Sequence, residues 1–288
     1  MAYILDPNKM YMMPTHFGPG LGPRQGPDGR KFECIDSPKV TSRSVSFLSN
    51  REQLDALIPD GMGLELGEKP IVTVYATYMT EIEWLAGRGY NVLGVSFPVI
   101  FNGKQDRAVG SFLTVLWENL TDPILTGREQ LGFSKIYCEL PEPTVLGGET
   151  HCIASWLGFK FMDMHFDNMK PVDLKNPSDP PADQNAENQD SDFLTGILHY
   201  KYMPRTGEWG VADANYIVMT PEATPNYKVQ ESWEGEGTVQ FHKARWEDLP
   251  TQYSIVNAFH ELEIKEYRGA TITMSVGGKD LSDQRIIR

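Results

Sequence analysis

The sequence is poor in cysteine and in positive charge, and it has no long apolar run. Its three cysteines, Cys34, Cys138 and Cys152, are odd in number and lack CxxC spacing. That argues against a disulfide framework and for a reducing compartment. Lys and Arg number 26 against 39 Asp and Glu, a formal net charge of −13. This is the wrong sign for a nucleic-acid partner, whose phosphates are gripped by Lys and Arg. No apolar stretch approaches the roughly 20 residues that span a bilayer. The opening MAYILDPNKM lacks the basic start and apolar core of a secretory signal. A soluble cytoplasmic protein without a membrane partner is expected. No GxGxxG follows a strand pattern, and GxSxG and HExxH are missing, which removes the usual signals of dinucleotide binding, a serine hydrolase elbow and a zinc helix. His151, Cys152 and His165 lie close in sequence but match no metal-ligand spacing. No metal and no cofactor are expected.

What the chain does have is β-forming sequence. Hydrophobic residues make up 40%, enough for a sizeable core. Residues 45–48, 71–79, 92–101 and 111–117 are rich in β-branched and aromatic side chains. Asn102-Gly103, at the start of the link between the last two, predicts a hairpin. Further strands are predicted at 135–140, 151–159, 160–166, 194–203, 215–219, 238–242 and 270–276. Helices are few. Ser49-x-x-Glu52 has capping-box spacing, with Pro59 as a stop. Asp122-Pro123 predicts a second start, with the acid as cap and Gly132 as the end. A third helix is predicted over 249–259. The expected fold is mostly β (α+β), an antiparallel closed or cone-shaped barrel with a few short helices. An irregular Gly/Pro-rich arm (1–44) precedes a single domain (45–276), and a tail (277–288) follows. The acidic, proline-rich stretch 171–192 is read as a surface loop within that domain.

The chemistry concentrates in TDPILTGREQLGFSKIYCEL, residues 121–140. A helix ending at Gly132 leads through Phe133 and Ser134 into a strand that opens on Lys135. Alternation sends Lys135 and Tyr137 to one face and Ile136 to the other. If the Lys135 face is enclosed, desolvation disfavours the ammonium and favours the neutral amine that attacks a ketone. A lysine drawn at random would sit on the surface instead, so periodicity alone does not select it.

The motifs do more. Gly127-Arg128-Glu129, then Gly132-Phe133-Ser134-Lys135, resembles the acetoacetate decarboxylase pattern GRE-x-x-G-aromatic-Pro-Lys. Phe97-Pro98-Val99-Ile100-Phe101-Asn102-Gly103, Glu231-Ser232-Trp233-Glu234-Gly235 and Asp248-Leu249-Pro250 are similar to three further motifs of that family, in the same order. The resemblance covers roughly residues 45–276 and implies a β-barrel lyase. In such a lyase Lys135 forms a Schiff base with a small keto acid for decarboxylation, C–C cleavage or aldol condensation and dehydration, without a cofactor, often in a homo-oligomer. The family's second lysine is Ile136 here, which leaves burial alone to act on Lys135, and its proline is Ser134. Its facing glutamates align with Tyr75 and Val92, and Arg43 is the candidate for its carboxylate-binding arginine. Tyr75, Trp117, Glu118 and Phe133 are candidate substrate contacts. Arg128 and Glu129 are expected to form a salt bridge that fixes the short helix. Two alternatives stand beside the lyase: a non-catalytic barrel that binds a small molecule, and a hydrolase or hydratase that works in the same pocket without an imine.

Overall fold

A computed structural model describes residues 4–174, 193–222 and 224–288. The strands are β1 (Lys39–Leu48), β2 (Leu64–Leu66), β3 (Ile71–Ile82), β4 (Arg88–Asn102), β5 (Arg107–Glu118), β6 (Lys135–Tyr137), β7 (Thr144–Leu146), β8 (Glu149–Trp156), β9 (Phe159–Pro171), β10 (Leu194–Pro204), β11 (Ala212–Pro221), β12 (Lys228–Phe241), β13 (Glu266–Val276) and β14 (Arg285–Ile287). Three helices, α1 (Arg51–Asp55), α2 (Thr121–Thr126) and α3 (Tyr253–His260), are described beside them. The strands form one sheet in the order β14-β11-β10-β5-β4-β3-β1-β13-β12-β9-β8-β7, with β2 on β4 and β6 on β5.

The predicted β class and the hairpin at Asn102-Gly103 are present, β4 pairing antiparallel with β5. Two expectations need correction. The path ends at β14 and β7, which do not pair with each other, so among the described residues the sheet does not close and, of the closed or cone-shaped alternatives, the closed barrel is not shown. Both end strands are three residues long, too short to offer much unpaired edge. The sheet is also not wholly antiparallel, because β5 runs parallel to β6 and to β10. The reason lies in the connections: α2 carries the chain back across the sheet, so β6 enters in the direction of β5.

Alternation along β3, β4 and β5 buries both faces of this central region. Val72, Val74, Ala76, Leu93, Val95, Phe97 and Trp117 belong to the main core. Val92, Leu113 and Leu116 point the other way and gather Tyr75, Met79, Tyr90 and Phe133 around them. The second face holds the site described below.

Local boundaries differ from the sequence reading. β1 begins at Lys39, inside the segment read as arm, and β14 lies inside the segment read as tail, paired with β11. Most of the acidic stretch, 175–192, lies outside the described residues. The cap of α1 is Asn50, whose side chain accepts from the Glu52 and Gln53 amides, while the Ser49 hydroxyl donates to the Glu263 carbonyl. The cap of α2 is Leu120, and Asp122 sits in the first turn. Asn50→Ala should therefore lower stability by about 1 kcal/mol, read as a lower urea midpoint at unchanged slope. Asn50→Asp, which keeps the acceptor, should lose much less; equal losses would contradict the cap.

Candidate active site

After α2 the backbone widens into a π-turn, Gly127–Leu131, and Gly132, at φ 83°, reverses it. Glycine suits that left-handed position because it has no Cβ to clash. The Phe133 amide donates to the Gly127 carbonyl and the Arg128 guanidinium to the Lys135 carbonyl. Together these bonds fix where β6 starts. The lysine stem then runs across Gly127, where an added Cβ would lie 2.3 Å from Lys135 Cδ and 2.7 Å from Nζ.

Lys135 Nζ meets Glu118 Oε1 at 2.8 Å, with the two side chains only 7% and 1% exposed. It also donates to the Pro123 carbonyl at 3.1 Å and lies over the Phe133 and Tyr90 rings, at 5.4 and 5.9 Å from their centres. Glu118 ends β5, whose parallel pairing puts Leu116 beside Lys135. Glu118 Oε2 has no hydrogen-bond partner among the described residues. Burial raises the Glu118 pKa, and the Lys135 charge only partly offsets this. Two opposite charges withdrawn from water are each costly. Moving one proton from Nζ to Oε1 would leave a neutral amine beside a neutral acid and remove both buried charges. Burial does not act alone on the lysine, as Ile136 had implied. A carboxylate shares its pocket.

The surroundings are polar but held neutral. Burial, then the Glu118 charge, pushes the phenols of Tyr75 and Tyr90 upward, so both keep their protons. The Tyr75 ring lies across Gly94, its partner on β4, where an added Cβ would stand 2.3 Å from Cζ. His199, fully buried, stacks on Phe133 at 4.1 Å between centres. Burial lowers its pKa to about 4 against the opposing Gly132 bond, and Lys135 and Lys201 lower it further. Its Nδ1 faces the Gly132 carbonyl, which can only accept, so Nδ1 carries the proton and Nε2 accepts from the Thr220 hydroxyl. A cavity of about 1070 Å³ opens onto Lys135, walled by Met79, Tyr90, Pro98, Val109, Leu131 and Ile197 among others. Glu118 stands behind the lysine and does not line it.

The acetoacetate decarboxylase (ADC) family model matches residues 12–279. The chain belongs to the acetoacetate decarboxylase family. No curated protein matches it significantly. Among solved structures it is similar to an acetoacetate decarboxylase (TM-score 0.64, 13% identity, covering 95% of this chain and 93% of the other). It is also similar to the acetoacetate decarboxylase of Legionella pneumophila (0.61, 17%, 91% and 92%). A third is the enduracididine biosynthesis enzyme MppR, complexed with the condensation product of pyruvate and imidazole 4-carboxaldehyde (0.61, 15%, 90% and 93%). At these identities the likeness is one of fold.

Within this family fold, the sequence candidates divide. Lys135, Glu118, Phe133 and Tyr75 come together. Trp117, one residue from Glu118, faces the main core: its indole donates to Gln252 and its ring packs on Phe161, Phe241 and Phe259. Arg43 lies over the Tyr78 ring and is not among the described lining residues. No ion pair joins Arg128 to Glu129 among the described residues. Arg128 instead secures the Lys135 carbonyl, and the Glu129 carbonyl accepts from Lys201. Tyr137, predicted on the lysine's face, is 41% exposed, because β6 ends there. Sequence reasoning missed Tyr90, which shares the face of Val92 and Gly94 by simple alternation. It also missed His199, whose partners come from two distant segments.

Gly127→Ala should displace the Lys135 stem while leaving the sheet intact. The expected outcome is a normal far-ultraviolet spectrum with a changed rate of Lys135 modification by an amine-reactive probe. An unchanged rate would contradict the close approach.

Proposed function

We propose that the chain is a cofactor-independent lyase in which Lys135 forms a Schiff base with a small keto acid. The observation that carries this reading is the buried Lys135–Glu118 contact beside a cavity that Lys135 itself lines. Glu118 takes the ammonium proton, and the freed amine adds to the substrate carbonyl carbon. The carbinolamine that forms loses water, its hydroxyl leaving with a proton, and an iminium remains. The iminium nitrogen then draws in the electron pair of the C–C bond that breaks. In the condensing direction the derived enamine supplies that pair to an aldehyde. Tyr90, protonated and on the cavity wall, is placed to donate a hydrogen bond to the departing oxygen. The pyruvate-derived product in the similar MppR structure supports a keto acid and carbon–carbon chemistry here.

Borohydride added with pyruvate or acetoacetate should fix one adduct on Lys135, located by peptide mass mapping, and Lys135→Met should abolish it. If no keto acid in the panel labels any lysine, the reading fails in favour of a barrel-like binder that uses Lys135 as a polar anchor.

Acetoacetate decarboxylation itself should be slow or absent. Position 136 is an apolar, half-buried isoleucine, so no second ammonium follows the nucleophile to disfavour its charged form. Carbon dioxide release from acetoacetate at rates of about 10 per second, typical of enzymes, would contradict this.

A further inference from the structure

Away from the Lys135 cavity, the outer face of β8, β9 and β12 carries a second cluster of chemically capable side chains. His151 on β8 and His165 on β9 are direct cross-strand partners, their rings stacked 4.1 Å apart at 9°. Asp163, two residues before His165, shares its face of β9. Although it points outward, Asp163 is only 6% exposed. Its Oδ1 meets His151 Nε2 at 2.7 Å and Lys160 Nζ at 2.8 Å, and its Oδ2 contacts His242 Nε2, just beyond β12. Asp163, His165, Lys160 and His242 edge a depression of about 540 Å³ that Gln240 and Tyr267 also line.

We propose that His151, Asp163 and His165 bind a divalent transition-metal cation of the zinc class. One donor atom from each lies within 4.8 Å of the other two. Metal–ligand bonds of about 2.0–2.2 Å place tetrahedral donors about 3.3 Å apart. Closure therefore asks for rotation of the side chains, of which His165 is exposed and would turn out of its stack on His151. Two imidazoles with one carboxylate suit zinc, copper or nickel and not calcium or magnesium. His242 is a positioning residue that holds the far carboxylate oxygen, as outer partners of metal ligands commonly do. Lys160 is the competitor: its ammonium occupies Oδ1 until the cation displaces it. Cys152, adjacent to His151, takes no part. It is fully buried on the opposite face, toward Tyr78.

The site would tie β8 to β9 at a point where β7, a fully exposed three-residue strand, is the sheet's last support. The test uses tag-free protein stripped with a chelator and titrated with Zn²⁺ against a chromophoric competitor. One equivalent per chain is expected, with affinity at least tenfold weaker in His165→Ala and in His151→Ala and unchanged in His16→Ala. Zn²⁺ should raise the melting temperature of the wild type and not of His165→Ala, since only a cation bound to the native state stabilises it. No stoichiometric uptake, or uptake that both histidine variants leave unchanged, would overturn the proposal.

Discussion

A lysine ammonium and a glutamate carboxylate lie 2.8 Å apart with their side chains only 7% and 1% exposed, and the local structure answers to that constraint. Removing either partner would strand the other charge, a loss of about 3–5 kcal/mol for buried pairs. The arrangement needs β6 beside β5 in the same direction, which α2 and the π-turn deliver. It needs Gly127 bare so that the stem can pass, and the Pro123 carbonyl turned inward to receive one more ammonium hydrogen. The tyrosines and His199 around it hold no charge of their own. The ionic contact of Lys135 is therefore with Glu118, while Glu83, Glu222 and Lys279 stand elsewhere on the cavity wall.

This organisation explains why the strands were legible in the sequence and the site only partly. Long strands such as β3 and β4 announce themselves through many β-branched residues, and both are buried on two faces. Three-residue strands such as β2, β7 and β14 carry no alternation to detect. Sheet closure was not legible either, since it depends on whether the two edges meet. Lys135 was found through a motif, because one lysine opening a strand looks like any other. Glu118 was placed by its position at a strand end, but its contact with Lys135 depends on the parallel pairing of β5 with β6, which hydrophobic pattern does not encode. Trp117 and Glu118 looked equally suited to the cavity, yet adjacent residues on a strand face opposite ways, and only Glu118 meets Lys135.

The family membership and this chain's own chemistry are separate matters. The matched region spans nearly the whole chain, but the residue after Lys135 is isoleucine, and Arg43 lies over the Tyr78 ring. Where the family resemblance implies a second cation, Lys135 here contacts a carboxylate, Glu118, which on the proposed reading removes the ammonium proton. On that reading, such a pair releases the amine when a keto acid enters the cavity. It suits condensation or retro-aldol cleavage, where the proton must be taken and later returned.

The direct test of that account is the rate of borohydride-trapped imine formation on Lys135 in Glu118→Gln, measured at neutral pH with a keto acid that labels the wild type. Glutamine keeps the shape and a hydrogen-bonding oxygen but cannot accept the proton, and general-base loss is worth about 10²–10⁴ in rate. The account predicts a slowing of at least a hundredfold with the fold retained. An imine that forms at the wild-type rate would mean that Glu118 is only a structural counter-charge, and the proton-sharing pair would be ruled out.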